Sequence, residues 1–278
     1  MAALSTKQMA ARLAGLALLL TAGNAAAIQW NLPKGVTDIS HEIYWLHMMA
    51  LWVSVAIGVV VFGAMLYAII RHRRSKGFKA AQFHESTTIE ILWTIVPFLI
   101  LVGMAIPTAR TLIAMEDTSN SDMTIKITGY QWQWHYDYLD HGISFYSQMS
   151  TPWTQILNQA DKDARYLREV DNEMVVPVGK KVRLLITASD VIHAWWVLDL
   201  GVKKDAIPGF INQEWFRINK PGVYRGACTE LCGRQHAYMP IVVRAVQPAQ
   251  FDKWVKAQKS GGKAAQAAAS LKSVSEAL

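Results

Sequence analysis

The sequence predicts a two-helix membrane hairpin carrying an external all-β domain. Three observations lead there. Residues 44–70 contain no Asp, Glu, Lys or Arg, and residues 91–109 contain none either. Beyond residue 120 these long apolar stretches give way to short alternating runs separated by Gly, Pro and Asn. The composition agrees: 52% of the 278 residues are hydrophobic and 18% charged, against about 25% charged in a typical soluble domain. A mean hydropathy of +0.14 points the same way. Disordered and collagen-like chains are excluded, and two cysteines are too few for a disulfide scaffold.

Residues 1–27 read as a secretory signal. Lys7 and Arg12 make its positive start, Leu13 to Leu20 its apolar stretch, and Ala25, Ala26 and Ala27 the small residues of a cleavage site. Residues 28–43 then form an external N-terminal segment. The first span covers 44–70 and the second 91–113, each near or above the roughly 20 residues a hydrocarbon core requires. Trp45, Trp52, Tyr67 and Trp93 lie near the ends, where amphipathic rings favour the headgroup level. Pro97 and Pro107 are tolerated in a membrane helix, where neighbours satisfy the freed carbonyls. The connector 71–90 carries Arg71, Arg73, Arg74, Lys76 and Lys79, so it faces the cytoplasm and both ends of the chain lie outside.

The external domain is expected over 121–258. Residues 123–128 alternate with period two, residues 174–186 read as strand, turn, strand, and runs at 215–218, 222–224 and 241–246 continue the series. Residues 148–167 are polar and read as a loop with some helix. Residues 251–258 form a short amphipathic helix, and 259–278, rich in Ala, Lys and Ser, a flexible tail. The net charge of +7 does not mark a nucleic-acid binder. Two of the cations fall in the signal, five in the connector, and 121–258 holds 16 basic against 14 acidic residues. No basic face remains.

The chemistry concentrates between two strands. Cys228, Cys232, His236 and Met239 place two thiols, an imidazole and a thioether within twelve residues. An external location favours disulfides, but a simple disulfide leaves His236 and Met239 without a purpose. Thiolate and imidazole fit zinc or copper; thioether is unusual for zinc and suits copper. Mononuclear blue-copper sites use one thiolate, whereas two cysteines at this spacing can bridge a pair of metal ions. A second histidine is needed, and His193, placed at the end of the strand running from Val182, is the best candidate.

The run Cys-x-Glu-x-Cys-x3-His-x2-Met, 35 residues after the His of Asp190-Val191-Ile192-His193-Ala194-Trp195, resembles subunit II of haem-copper cytochrome c oxidase. So do Gly129 to Trp134, Gly201 to Gly209 and His236 to Pro240. The resemblance extends over nearly the whole chain past residue 27, and implies a cupredoxin-like Greek-key barrel after the hairpin. It implies a dinuclear copper centre of the CuA kind. Cys228 and Cys232 would bridge the coppers, His193 and His236 cap one each, and Met239 and the Glu230 carbonyl be weak axial ligands. The Glu230 side chain corresponds to a magnesium ligand at the interface with the catalytic subunit, and Trp132 to the point where electrons enter. Asp137, Asp171 and Asp190 match acidic positions that dock cytochrome c, and Glu90 a carboxylate at the mouth of a proton channel in the partner subunit.

The implied activity is electron delivery from cytochrome c to haems in catalytic subunit I, where O2 is reduced to water with proton pumping. Other oxidase subunits and the bilayer are further partners, in a bacterial inner membrane with the copper domain in the periplasm. Four positions depart from the family pattern: Tyr130 stands where many relatives have His, Gln133 and His135 fall inside the aromatic motif, and Phe210 stands where Arg is common. A copper-free quinol-oxidase subunit does not account for the complete ligand set. A membrane-anchored copper assembly protein does not account for Trp132 and Glu230. A nitrous oxide reductase copper domain would come with a large catalytic domain. No Cys-x-x-Cys-His motif for a fused c-type haem is present.

Overall fold

The computed structural model describes residues 31–79, 81–82 and 84–260. The signal expected over 1–27 and the tail beyond 260 lie outside the described residues. Helix α1 spans Asp38–Arg71. Thr37 caps it in a reciprocal box, its side chain accepting from the Ser40 N–H while the Ser40 hydroxyl accepts from the Thr37 N–H at 3.0 Å. Helix α2 spans Thr87–Glu116, with Pro97 and Pro107 inside it and Glu90 in its first turn. Both are apolar around their whole circumference and long enough to cross a membrane. At 1.5 Å per residue they run about 51 and 45 Å, well past the roughly 30 Å hydrocarbon layer. Helical structure therefore extends beyond the charge-free stretches at both ends. In the connector a 3-10 turn at Arg74–Lys76 follows α1, and the His72 ring stacks on Phe78 at 4.2 Å.

The remaining described residues build ten strands. These are β1 Met123–Tyr130, β2 Gln133–Tyr138, β3 Ile143–Ser147, β4 Met174–Pro177, β5 Lys181–Ala188, β6 His193–Val197, β7 Val202–Ala206, β8 Asn212–Arg217, β9 Gly222–Cys228 and β10 Pro240–Val246. One sheet has the order β3-β2-β1-β5-β8 and the other β4-β10-β9-β6-β7. The chain changes sheet at most of its connections, and β1 with β5 and β10 with β4 pair in parallel. Two facing sheets exchanging strands in this way form the cupredoxin-like Greek-key barrel. A short helix α3 at Trp153–Ile156 sits in the polar excursion, and α4 at Pro248–Lys259 closes one end. Helix α4 is longer than 251–258 and takes in Lys259, which the sequence assigns to the tail.

Alternation explains the core. Ile125 and Ile127 of β1, Trp134, Tyr136 and Tyr138 of β2, and Val182, Leu184 and Ile186 of β5 all face Trp195, Val197, Ile241 and Val243 across the sandwich. The buried Tyr138 hydroxyl both donates to the Val175 carbonyl and accepts from its N–H at 2.9 Å, so its polar tip is satisfied. His193 differs from expectation. The strand from Lys181 ends at Ala188, and after a turn His193 opens β6 in the opposite sheet.

Both membrane helices are fastened to the barrel. Before α1, the Thr37 hydroxyl donates to the Leu200 carbonyl at 2.8 Å and the Val36 N–H to the Asp199 carbonyl at 2.8 Å. After α2, Lys181 Nζ donates to the Asp117 and Ser119 carbonyls at 2.7 and 2.8 Å, and in its last turn the Ala114 carbonyl accepts from the Trp215 indole at 2.9 Å. The barrel thus sits at a fixed position over the ends of the helices.

Candidate metal centre

The loop between β9 and β10 carries most of the site. Its ends are closed by the Cys228 N–H donating to the Met239 carbonyl at 3.0 Å and the Thr229 N–H to the Ala194 carbonyl at 3.1 Å. Cys228 and Cys232 are buried free thiols with sulfurs 3.8 Å apart. His193 Nδ1 lies 3.9 Å from the Cys228 sulfur and His236 Nδ1 3.5 Å from that of Cys232. The Glu230 carbonyl is 3.4 Å from the Cys228 sulfur. Met239 is buried beside them in the core. The ligand atoms of His193, Cys228 and Cys232 all fall within 4.8 Å of one another. Two thiols, an imidazole beside each, a thioether in the same loop and a carbonyl make a soft donor set, which fits copper.

The surroundings fix His193. Its Nε2 is 2.9 Å from Asp190 Oδ1, and the same carboxylate accepts from the Gln131 N–H at 2.7 Å and the Val191 N–H at 2.6 Å. With Nε2 engaged, Nδ1 is left facing the thiol. The ring also rests against Gly129, where a Cβ would stand 2.8 Å from His193 Cδ2. Glycine is required there by close approach.

Burial pushes Asp190 up, but hydrogen bonds from His193, Val191 and Gln131 outweigh it and hold the carboxyl below its ordinary range. Burial alone would lower His193; the Cys228 and Asp190 partners reverse that and raise it. Burial likewise pushes Cys228 up, yet His193 and the backbone at Ala194 and Glu230 bring it below the usual thiol range. Cys232 is raised, by burial and then by the neighbouring Cys228. One thiol ionises readily and its neighbour resists, as for any pair of like charges this close.

Trp132 joins this loop to the surface. Its indole N–H donates to the Cys232 carbonyl at 3.1 Å, and Gln131 Nε2 donates to the same oxygen at 2.8 Å. Gly233 makes this possible: its φ of +116° is a glycine conformation, and a Cβ would lie 3.1 Å from Trp132 Cζ2. The aromatic run divides at this point. Trp134, Tyr136 and Tyr138 fill the core, while Trp132 is half-buried before β2 begins.

The other expected residues are more dispersed. Asp137 pairs with His135 at 3.3 Å, and Asp171 Oδ1 accepts from the Gln148 and Asn172 N–H groups at 2.7 Å. Glu230 is exposed, and Glu90 is exposed on α2 with Oε1 3.4 Å from the Ser86 N–H. Phe210 is 67% exposed beside exposed Ile211, an apolar step on the surface. Sequence reasoning missed that Asp190 and Gln131 support the site. The Asp at three residues before His193 was a usable signal, since a turn brings such a pair together. It also missed Trp153, whose ring meets Tyr238 edge-on at 5.8 Å, between His236 and Met239.

Comparison with known proteins places this geometry in a family. Residues 123–246 match the family described as cytochrome c oxidase subunit II, periplasmic domain, and residues 25–110 its transmembrane domain. The probable cytochrome c oxidase subunit 2 of Rickettsia bellii is 41% identical over 228 residues, covering 82% of this chain and 83% of that protein. Subunit 2 of Cereibacter sphaeroides is 37% identical over 273 residues, covering 89% and 90%. The crystal structure of the periplasmic domain of subunit II from Bradyrhizobium japonicum is 44% identical, covers 52% of this chain and 98% of that one, and superposes with a TM-score of 0.47. Two membrane-length helices, a barrel and a soft donor set on its rim thus occur in a chain that belongs to the cytochrome c oxidase subunit II family.

Proposed function

We propose that the chain is the subunit through which electrons enter a proton-pumping cytochrome c oxidase, taking them from cytochrome c and delivering them to the haems of catalytic subunit I, where O2 becomes water. The observation that carries this reading is the hydrogen bond from the Trp132 indole to the Cys232 carbonyl, which connects a half-buried aromatic ring directly to a metal-binding thiol residue. Cys228 and Cys232 would hold two coppers between them, with His193, His236, Met239 and the Glu230 carbonyl around them. Such a pair, when bound, supplies a one-electron carrier. The chain's own part is rigidity: Asp190 holds His193, backbone bonds tie the loop to β6 and to Met239, and the buried His193, Cys228, Cys232 and Met239 side chains exclude water. A geometry that moves little between oxidation states keeps electron transfer fast.

The exposed Glu230 carboxylate suits a magnesium ion at the interface with the catalytic subunit, and half-buried Asp137 and exposed Asp171 suit docking of a basic cytochrome c. Asp190, the third carboxylate of that patch, is exposed as well. Glu90 suits the mouth of a proton channel in the partner subunit. The basic connector supports a topology with these groups on opposite sides of a bacterial inner membrane, the barrel in the periplasm and residues 1–27 serving as the export signal. The test is copper analysis with electron paramagnetic resonance on the full chain in detergent. Two coppers sharing one unpaired electron are expected; one copper, zinc or no metal in a folded chain overturns the reading.

A further inference from the structure

At the edge where β7 and β8 face one another, three ionisable side chains meet the end of α2. Glu214 shares the inward face of β8 with Phe216 and is 3% exposed. Lys204 shares the inward face of β7 with Val202 and Ala206. Its ammonium lies 2.9 Å from Glu116 Oε1 and 3.7 Å from Glu214 Oε2. The other elements add no charge on this face. β5, paired with β8, brings Val182, Leu184 and Ile186, and β6, paired with β7, brings Trp195 opposite Lys204. On α2 only Glu116 reaches Lys204, because the Asp117 carboxylate turns to Ser119.

One ammonium therefore serves two carboxylates, and the fully ionised cluster carries an excess negative charge. The two acids are not equivalent. Glu116 keeps 57% of its side chain in solvent and holds the closer contact, whereas Glu214 keeps 4% and lies beyond hydrogen-bonding distance. The carboxylate with least water and the weaker partner is the one that accepts a proton.

We propose that Glu214, Lys204 and Glu116 form a proton-binding site at the junction of the barrel and the second membrane helix, in which Glu214 takes up one proton and releases Lys204 to Glu116. Proton uptake at Glu214 balances the cluster at zero charge and tightens the one side-chain ion pair that joins the end of α2 to β7. Proton loss draws the ammonium back between two anions and slackens that contact. Burial, opposed by Lys204 and reinforced by Glu116, pushes the Glu214 carboxyl up to about 7 from its ordinary 4.5. The site is independent of the metal loop and nothing in it requires copper.

Infrared titration of the full chain in detergent tests this between about pH 5 and 9. A protonated-carboxyl band should titrate near neutrality in the parent chain and be missing in Glu214→Gln. Because burial raises Glu214, its contribution to stability is greatest below its ordinary value and is lost as pH rises through about 7. Thermal unfolding of the parent should thus weaken over that interval, and that of Glu214→Gln should weaken less. Two further variants set the sign. Lys204→Met removes the cation and should move the midpoint up by about a pH unit or more, and Glu116→Gln should move it down. A band indifferent to Glu214→Gln, or a midpoint that neither partner variant moves, overturns the proposal.

Discussion

The Asp190 carboxylate stands 2.9 Å from His193 Nε2, while the opposite ring nitrogen faces the Cys228 sulfur at 3.9 Å. One acid therefore sets the direction in which a ligand nitrogen points. Partners of this kind typically change metal affinity by about 10- to 100-fold when removed. Asp190→Ala should accordingly lower copper affinity by about that factor, and Asp190→Asn, which keeps an acceptor for the imidazole N–H, by less. Competition against a copper chelator on the full chain measures both. Were Asp190 only a docking acid, copper retention would be unchanged and the effect confined to KM for cytochrome c.

Gly129 meets the same ring from the other side, and a Cβ there would be 2.8 Å from His193 Cδ2. Gly129→Ala should displace the imidazole without disturbing the register of β1 with β2 and β5, which depends on backbone bonds. The expected result is a folded chain, with native circular dichroism, that binds copper less tightly. Full copper affinity in this variant would mean that the ring has room to move.

Trp132→Phe keeps an aromatic ring but removes the N–H that donates to Cys232. Electron transfer from reduced cytochrome c should fall by at least about tenfold, an effect of about 1.4 kcal/mol on the activation free energy of that transfer. Copper content and spectrum should not change. Trp134→Phe is the contrast: that indole N–H is buried without an acceptor, so the substitution should alter packing and stability and leave the transfer rate alone. Stopped-flow reduction of the assembled oxidase separates the two, and equal losses in both variants would argue against a special role for Trp132.

The order in which these features became legible has a physical cause. Charge-free stretches reveal membrane helices because no ionised side chain is tolerated in hydrocarbon, so the two spans needed no partner information. Helix α1 begins at Asp38, earlier than the apolar limit, because Thr37 and Ser40 cap it against the barrel. The ligand run 228–239 was legible because its donors are close in sequence. His193 was legible only as a residue type. Its strand, its sheet and its support from Asp190 depend on a turn after Ala188 that alternation alone does not reveal. The short strands β3, β6 and β7 escaped for the same reason: β6 is buried almost throughout and shows no alternation, and β7 is an edge strand that mixes charged and buried positions.

Two of the acids suited to docking are already engaged in the barrel: Asp137 with His135 and Asp171 with backbone N–H groups. A basic cytochrome c responds to an acidic patch at long range, without direct contact to each carboxylate. The second-order rate of cytochrome c oxidation should fall as ionic strength rises through about 0.1 M, where the screening length is about 10 Å. Asp171→Asn should reduce the slope of that dependence with kcat unchanged. A rate indifferent to salt would remove the acidic patch from the docking surface.

Thr37 links the membrane anchor to the barrel, and its effect should appear in stability before activity. Its side chain is fully buried, caps α1 through the Ser40 N–H and donates to the Leu200 carbonyl at 2.8 Å. Thr37→Ala removes the cap and leaves a buried carbonyl without that donor, so a loss of about 1–3 kcal/mol is expected. Thr37→Ser retains both bonds and should recover most of it. Thermal unfolding of the full chain in detergent, followed at the barrel's near-ultraviolet signal, provides the measurement. Equal unfolding temperatures for Thr37→Ala and the parent would mean that the anchor is held by the backbone bonds at Val36 and the contacts around α2. A loss restored by serine would assign the junction at Leu200 a direct part in supporting the barrel that carries the candidate metal centre.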